Sequence, residues 1–182
     1  MPDWPSLLGD PDSTTPIPGE DESIAALRCR IDGHEVVLVW CRFDVSAGTL
    51  SVAAGRRFVG ALAYARAERL PVVAIANSGG ARMQEGNRAF VQMVGCIGAV
   101  RDLIADGLAF LVYLADPTMG GVFASWGSLG QVTFAQPGAT IGFTGPRIAE
   151  GLGTPIEPAS TQTAEGSTRS STSPLAYRPS AV

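Results

Sequence analysis

Val72-Val73-Ala74-Ile75-Ala76-Asn77-Ser78-Gly79-Gly80-Ala81-Arg82-Met83-Gln84-Glu85-Gly86 is the stretch that decides the fold. Its opening apolar run does not alternate with polar residues, which describes a strand buried on both faces, as in a parallel sheet. A glycine pair follows at once. Beyond it, Asn87 to Ala105 places Phe90, Val94, Ile97, Val100 and Ile104 at helical steps of three and four, and Gly107 follows as a helix stop. The pattern then repeats. Phe110-Leu111-Val112-Tyr113-Leu114-Ala115 reads as a second buried strand, and Asp116-Pro117-Thr118-Met119-Gly120-Gly121 as a second glycine turn.

Glycine at a strand-to-helix turn exposes backbone N–H groups, because no Cβ blocks close approach. A helix starting there adds unpaired donors and the positive end of its dipole. Two such turns at one edge of one sheet aim donors at a single developing negative oxygen, which is how an oxyanion hole is built.

Working outward, Leu27 to Ile31 and Val36 to Phe43 read as two strands joined at Asp32-Gly33. Val52 to Leu70 reads as a helix with Phe58, Ala61, Leu62 and Ala65 on one face, ended by Pro71. A short helix from Gly121 to about Gly127 and strands near Val132–Ala135 and Thr140–Phe143 complete the ordered part. Strands and helices in this order predict an α/β domain with right-handed crossovers on a mostly parallel sheet, its ligand at the carboxyl edge. The expected organisation is a flexible leader over 1–22, a domain over 23–153, and a disordered Ser/Thr/Pro-rich tail over 154–182.

Composition narrows the chemistry. The chain has 182 residues, 46% hydrophobic and 16% charged, enough for one domain with a core. A net charge of −4 gives no reason to expect a nucleic-acid partner. No run approaches the roughly 18 apolar residues of a membrane span, and Met1-Pro2-Asp3-Trp4-Pro5 does not open like a signal peptide, so a cytoplasmic location is expected. All 13 basic residues are arginine, which removes P-loop, Schiff-base and biotinylated lysines together. Cys29, Cys41 and Cys96 form no CxxC pair and read as small buried hydrophobes; no metal site is expected. The one histidine, His34, falls at the Asp32-Gly33 turn and reads as exposed or structural.

Three blocks carry a resemblance: Ser78 to Gly86, Asp116 to Val122, and Ala135-Gln136-Pro137-Gly138-Ala139-Thr140-Ile141-Gly142-Phe143-Thr144-Gly145-Pro146-Arg147. In this order they resemble the carboxyltransferase β subunit of biotin-dependent acetyl-CoA carboxylase, within the crotonase/ClpP-like superfamily. The likeness covers residues 43 to about 153. It implies a crotonase-like fold in which Gly80 and Ala81 from the first turn, with Gly120 and Gly121 from the second, offer N–H donors to an acyl-CoA thioester oxygen. It also implies acetyl-CoA or a similar short acyl-CoA as acceptor and a carboxyltransferase α-type partner in an oligomer. No cofactor is held covalently; carboxybiotin arrives on a separate biotin carrier protein, which a chain without lysine cannot be.

Ser78 and Gly79 join the substrate-binding candidates by position. Arg82 and Arg147 are candidates for a CoA phosphate or a carboxylate; the alternative is a structural ion pair, for Arg82 with Glu85 or Glu150. Ser125 sits where ClpP-like proteases carry a nucleophile, but no histidine follows it, so packing or capping is expected. Trp126 and Phe123 read as core or interface aromatics. The chain departs from the family in three ways. Ala47-Gly48 stands where a Gly-Gly pair is usual, no four-cysteine ribbon precedes the domain, and the likeness fades past Gln162 to Gly166. These departures suggest a shortened or frameshifted homologue. A partner-binding subunit without turnover and a malonate decarboxylase-like subunit are the alternative readings.

Overall fold

The computed structural model describes residues 3–8 and 13–143. Its elements are α1 (Trp4–Leu8), β1 (Thr15–Pro16), β2 (Ile24–Ile31), β3 (His34–Cys41), α2 (Val52–Ala67), β4 (Val72–Ser78), α3 (Asn87–Ala105), β5 (Phe110–Met119), α4 (Gly120–Ala124), β6 (Val132–Ala135) and β7 (Ile141–Gly142). One sheet runs in the order β1-β2-β3-β4-β5-β6, with β7 also paired to β5. The β2–β3 hairpin is antiparallel, while β3, β4, β5 and β6 are parallel neighbours. The mostly parallel α/β sheet expected from the sequence is the one observed.

Local rules explain the elements. Asp32 and Gly33 both have positive φ, 50° and 78°, the conformation that a two-residue hairpin turn requires. Ser51 caps α2, its hydroxyl accepting the Ala54 N–H at 2.9 Å. Phe58, Ala61, Leu62 and Ala65 are buried as their spacing predicts, and Phe58 stacks on Trp126 with ring centroids 4.8 Å apart. Burying a side chain of that size contributes about 2–3 kcal/mol. The main core lies between this helical layer and one face of the sheet; Leu27, Cys29, Leu38, Ile75 and Ala115 form a smaller cluster on the other face.

Three expectations change. The leader is ordered where it is described. Thr15–Pro16 pairs with Arg28 and Leu27, Ile17 is buried, and Trp4 meets Tyr113 edge-on. Arg57 donates to the Ile17 and Pro18 carbonyls at 2.5 Å, and Arg42 pairs with Asp21. Its polar composition hid these anchors, because each partner lies far along the chain.

Asp116 to Met119 continue β5 instead of turning, because Thr118 and Met119 find partners in Ile141 and Gly142. The helix that follows is only five residues long, broken at Ser125. Backbone donors, not a helix dipole, are what this turn offers.

Finally, α3 has the expected bounds but only part of the expected inward face, with Val100 buried and Ile104 packed against the core. Ala89, Cys96, Val100 and Leu103 are buried, whereas Phe90 and Val94 are exposed. The helix carries apolar residues on its outer side as well, and its close approach to α2 at Gly55 sets the rotation. A Cβ on Gly55 would fall 2.6 Å from that of Gln92. Arg147 and the tail over 154–182 lie outside the described residues.

Candidate active site

Because β4 and β5 are parallel neighbours, the turns at their carboxyl ends emerge side by side. They touch backbone to backbone. A Cβ placed on Gly80 would lie 3.3 Å from the Gly120 Cα and 3.5 Å from the Gly121 nitrogen. One placed on Gly120 would lie 3.2 Å from the Gly80 Cα. Gly80 has φ +112° and Gly120 φ +57°, so conformation and space both call for glycine.

Leu50 decides which way the first turn faces. Its N–H donates to the Gly80 carbonyl at 2.8 Å, and its carbonyl accepts the Arg82 N–H at 2.9 Å. In extended backbone these groups alternate sides, so the Ala81 N–H points away from Leu50. The second turn lies on that side: the Ala81 nitrogen is 3.6 Å from where a Gly121 Cβ would stand. The close approach therefore sets the Ala81 and Gly121 backbones beside each other.

Gly80 and Gly120 serve differently from expectation. The Gly80 N–H donates to Ser78 Oγ at 3.0 Å, inside the turn. Thr118 donates to Thr140, and Met119 pairs with Gly142, so β7 takes up the Gly120 side. These two glycines supply the close approach between the turns.

Ser78 is fully buried, which makes it a brace within the turn and not a substrate contact. Gly79 is exposed, its N–H donating to the Ala47 carbonyl at 2.9 Å. Arg82 is a structural residue. Its fork meets both oxygens of Glu22 at 2.8 Å, with Thr49 accepting at 3.2 and 3.3 Å, so the anion-holding role expected of it gives way to an ion pair. Its principal partner is Glu22; Glu85, one of the acids first considered, stands 4.0 Å from the same guanidinium, and Glu150 lies outside the described residues.

The loop at Ala47-Gly48 sits against this turn. Ser46, Ala47 and Gly48 have φ of 47°, 54° and 63°, and a Cβ on Gly48 would strike the Asn77 carbonyl at 2.2 Å. Two ties that sequence reasoning missed join the strand ends. Asn77 Nδ2 donates to the Asp116 carbonyl at 2.8 Å, and Thr118 Oγ1 donates to the Ala76 and Ala115 carbonyls at 2.8 and 2.7 Å. A polar residue at the end of an apolar strand was the available signal.

Among the described residues, the serine and cysteine side chains near this arrangement are buried and not poised as nucleophiles. Ser125 is buried and donates to the Gly121 carbonyl at 2.6 Å, a packing role as expected. Burial pushes the Cys41 and Cys96 thiols up to about 12, far from the range of a reactive thiolate. His34 lies exposed at the start of β3. The turns at residues 78–81 and 119–121 carry no titratable side chain, so their chemistry is that of oriented amides.

Residues 15–173 match the family model described as the carboxyl transferase domain. The chain belongs to this family. A probable biotin-dependent acyl-coenzyme A carboxylase beta3 subunit from Mycobacterium tuberculosis is 51% identical over 148 residues, covering 81% of this chain and 30% of that protein. The acetyl-coenzyme A carboxylase carboxyl transferase subunit beta of Maricaulis maris is 43% identical over 132 residues, covering 72% of this chain and 42% of that one. The chain thus spans less than half the length of these curated relatives.

Among solved structures, a Pseudomonas malonate decarboxylase MdcD-MdcE hetero-dimer superposes with a TM-score of 0.79 at 23% identity, over 94% of this chain and 75% of that one. Transcarboxylase 12S, in a hexamer assembly, gives 0.77 at 21% identity over 88% of this chain and 34% of the other. At such identities the structures speak for the fold. The carboxyl transferase family assignment rests on the sequence matches.

Proposed function

We propose that this carboxyl transferase domain forms the acyl-CoA half-site of a biotin-dependent acyl-CoA carboxylase, with acetyl-CoA or a similar short acyl-CoA as acceptor. The single observation that carries this reading is the backbone contact of Gly80 with Gly120, which brings the Ala81 and Gly121 amides together. Loss of a proton from the carbon beside a thioester places negative charge on the thioester oxygen. Two fixed amides meet that charge without reorganising, and one such donor is worth about 3–4 kcal/mol. The enolate carbon then forms a bond to the carboxyl carbon of carboxybiotin as its N–C bond breaks, and the biotin nitrogen ends protonated. Acetyl-CoA becomes malonyl-CoA, a step of fatty acid biosynthesis in the cytoplasm.

Carboxybiotin is a substrate here, brought by a biotin carboxyl carrier protein and placed by a carboxyltransferase α-type partner. An exposed apolar strip supports a partner: Met83, Phe90, Val91 and Val94 are 76%, 45%, 65% and 71% exposed. Monomers seldom leave such contiguous residues uncovered.

The test combines the chain with an α-type partner, carboxybiotin and acetyl-CoA, and looks for malonyl-CoA by mass spectrometry. Product dependent on all components supports the carboxylase. A stable complex without product favours a partner-binding subunit lacking turnover. The malonate decarboxylase likeness in fold supplies the remaining reading, for which release of CO₂ from a malonyl thioester on an acyl carrier protein is the distinguishing result.

A further inference from the structure

Three segments distant in sequence meet at Glu22. Its Oε1 accepts the Ser23 N–H at 2.7 Å and one Arg82 Nη at 2.8 Å; its Oε2 accepts the Ser51 hydroxyl at 2.9 Å and the other Arg82 Nη at 2.8 Å. The Ser51 oxygen in turn caps α2 through Ala54. Ser23, immediately after Glu22, donates its hydroxyl to the Thr49 carbonyl at 2.7 Å, and that carbonyl also accepts from Arg82. Both side chains of the Glu22–Arg82 pair are only 14% exposed. The arm bearing Glu22 is itself anchored at Ile17, Pro18 and Asp21 by arginines of α2 and of the residue after β3.

Arg82 is the residue directly after Ala81. The backbone on either side of Ala81 is bonded to Leu50, and Leu50 lies between Thr49 and Ser51, both of which the Glu22 cluster holds. Thus the carboxylate grips both strands of the bridge that sets the direction of the Ala81 N–H.

We propose that Glu22 is a positioning residue for the thioester-oxygen site, acting through Arg82 and the Thr49–Ser51 segment on the Ala81 amide. This rests on the carboxyltransferase reading above. Glu22 touches no reacting atom. Its effect is on where one donor points, and small displacements of a catalytic group are costly, about a hundredfold for 1 Å.

The experiment uses the full chain in complex with its α-type partner and compares wild type, Glu22→Gln and Glu22→Asp. The amide of Gln presents donors where Arg82 and Ser23 also donate, while Asp keeps the charge on a shorter stem. Glu22→Gln is expected to lower kcat at least about tenfold with KM for acetyl-CoA changed less than about threefold, and Glu22→Asp to recover most of the loss. Amide exchange read by mass spectrometry should rise about tenfold in peptides spanning 78–83 but stay unchanged across the β2–β3 hairpin.

An unaltered kcat in Glu22→Gln, or faster exchange spread equally over hairpin and turn, overturns the proposal. The exchange measurement needs no turnover. If wild type makes no malonyl-CoA, the carboxyltransferase reading fails on its own, and exchange at 78–83 still decides whether Glu22 holds the turn.

Discussion

The two turns that face each other at the sheet edge are held by different forces. The first, at 78–82, is tied by charge: a forked ion pair, two serine hydroxyls and a threonine converge on its exit. The second, at 116–121, is tied mainly by hydrogen bonds between uncharged groups through Asn77, Thr118 and Thr140, with the Asp116 carboxylate accepting the Thr140 N–H at 2.7 Å, and its glycines are fixed by lack of room. One half of the proposed oxygen site therefore answers mainly to a buried ion pair, the other mainly to side-chain volume. Perturbations of each kind should separate them.

The largest effect is expected where both turns meet. Gly80→Val forces a β-branched residue to φ +112° and drives its Cβ to within 3.3 Å of the Gly120 Cα, with no flexible side chain to give way. Strain and overpacking together cost about 3–5 kcal/mol. Separation of the Ala81 and Gly121 amides should lower kcat a hundredfold or more. Chemical denaturation and carboxylation kinetics on the same sample check both figures. A variant with near-normal kcat would show that the contact does not define the site.

Next comes the charged tie. Arg82→Met leaves the Glu22 carboxylate without its principal partner, costing about 2–3 kcal/mol in urea unfolding. A pH titration isolates the cause. In the folded chain Arg82, first among its partners, holds Glu22 down to about 2 from 4.5, with burial opposing. A carboxyl with a depressed folded pKa contributes its full stability above about pH 4.5 and loses it as pH falls toward 2. Glu85, 4.0 Å from the same guanidinium, is the other acid facing it. Wild type should lose stability across that window, and Arg82→Met should show a flatter profile there. Parallel slopes in the two proteins would assign the acid sensitivity to other groups.

The contrast also explains what could be read in advance. Buried strands β4 and β5, helix α2, the Asp32-Gly33 turn and the stop at Gly107 are local or periodic features, so their residues announce them. The glycine pairs were legible for the same reason, and their meeting followed from strand adjacency. Glu22 was not legible, because its ion pair spans sixty residues and its neighbours are prolines and acids typical of a loose arm. The rotation of α3 was hidden by apolar residues such as Phe90 and Val94 on its outer side, where contact with α2 decides and periodicity cannot. Asp116 to Met119 looked like a turn by composition, and pairing with β7 overrode that preference.

The smallest effect expected concerns Ala47, whose carbonyl accepts the Gly79 N–H at 2.9 Å. With φ of 54° it occupies the left-handed region, which costs a residue bearing a Cβ roughly 1 kcal/mol. Glycine removes that strain but gains freedom in the unfolded chain, an opposing term of about 0.4–1 kcal/mol. The two nearly cancel, so Ala47→Gly should shift stability by no more than about 0.5 kcal/mol, on the stabilising side. Activity should hold within about twofold, since the carbonyl that meets Gly79 is retained. Thermal melts and kcat measured together test this. A large loss of activity at unchanged stability would mean that the Ala47 methyl itself shapes the exposed face of the first turn, adding volume to the forces acting there and weakening the division between a charge-held and a space-held half.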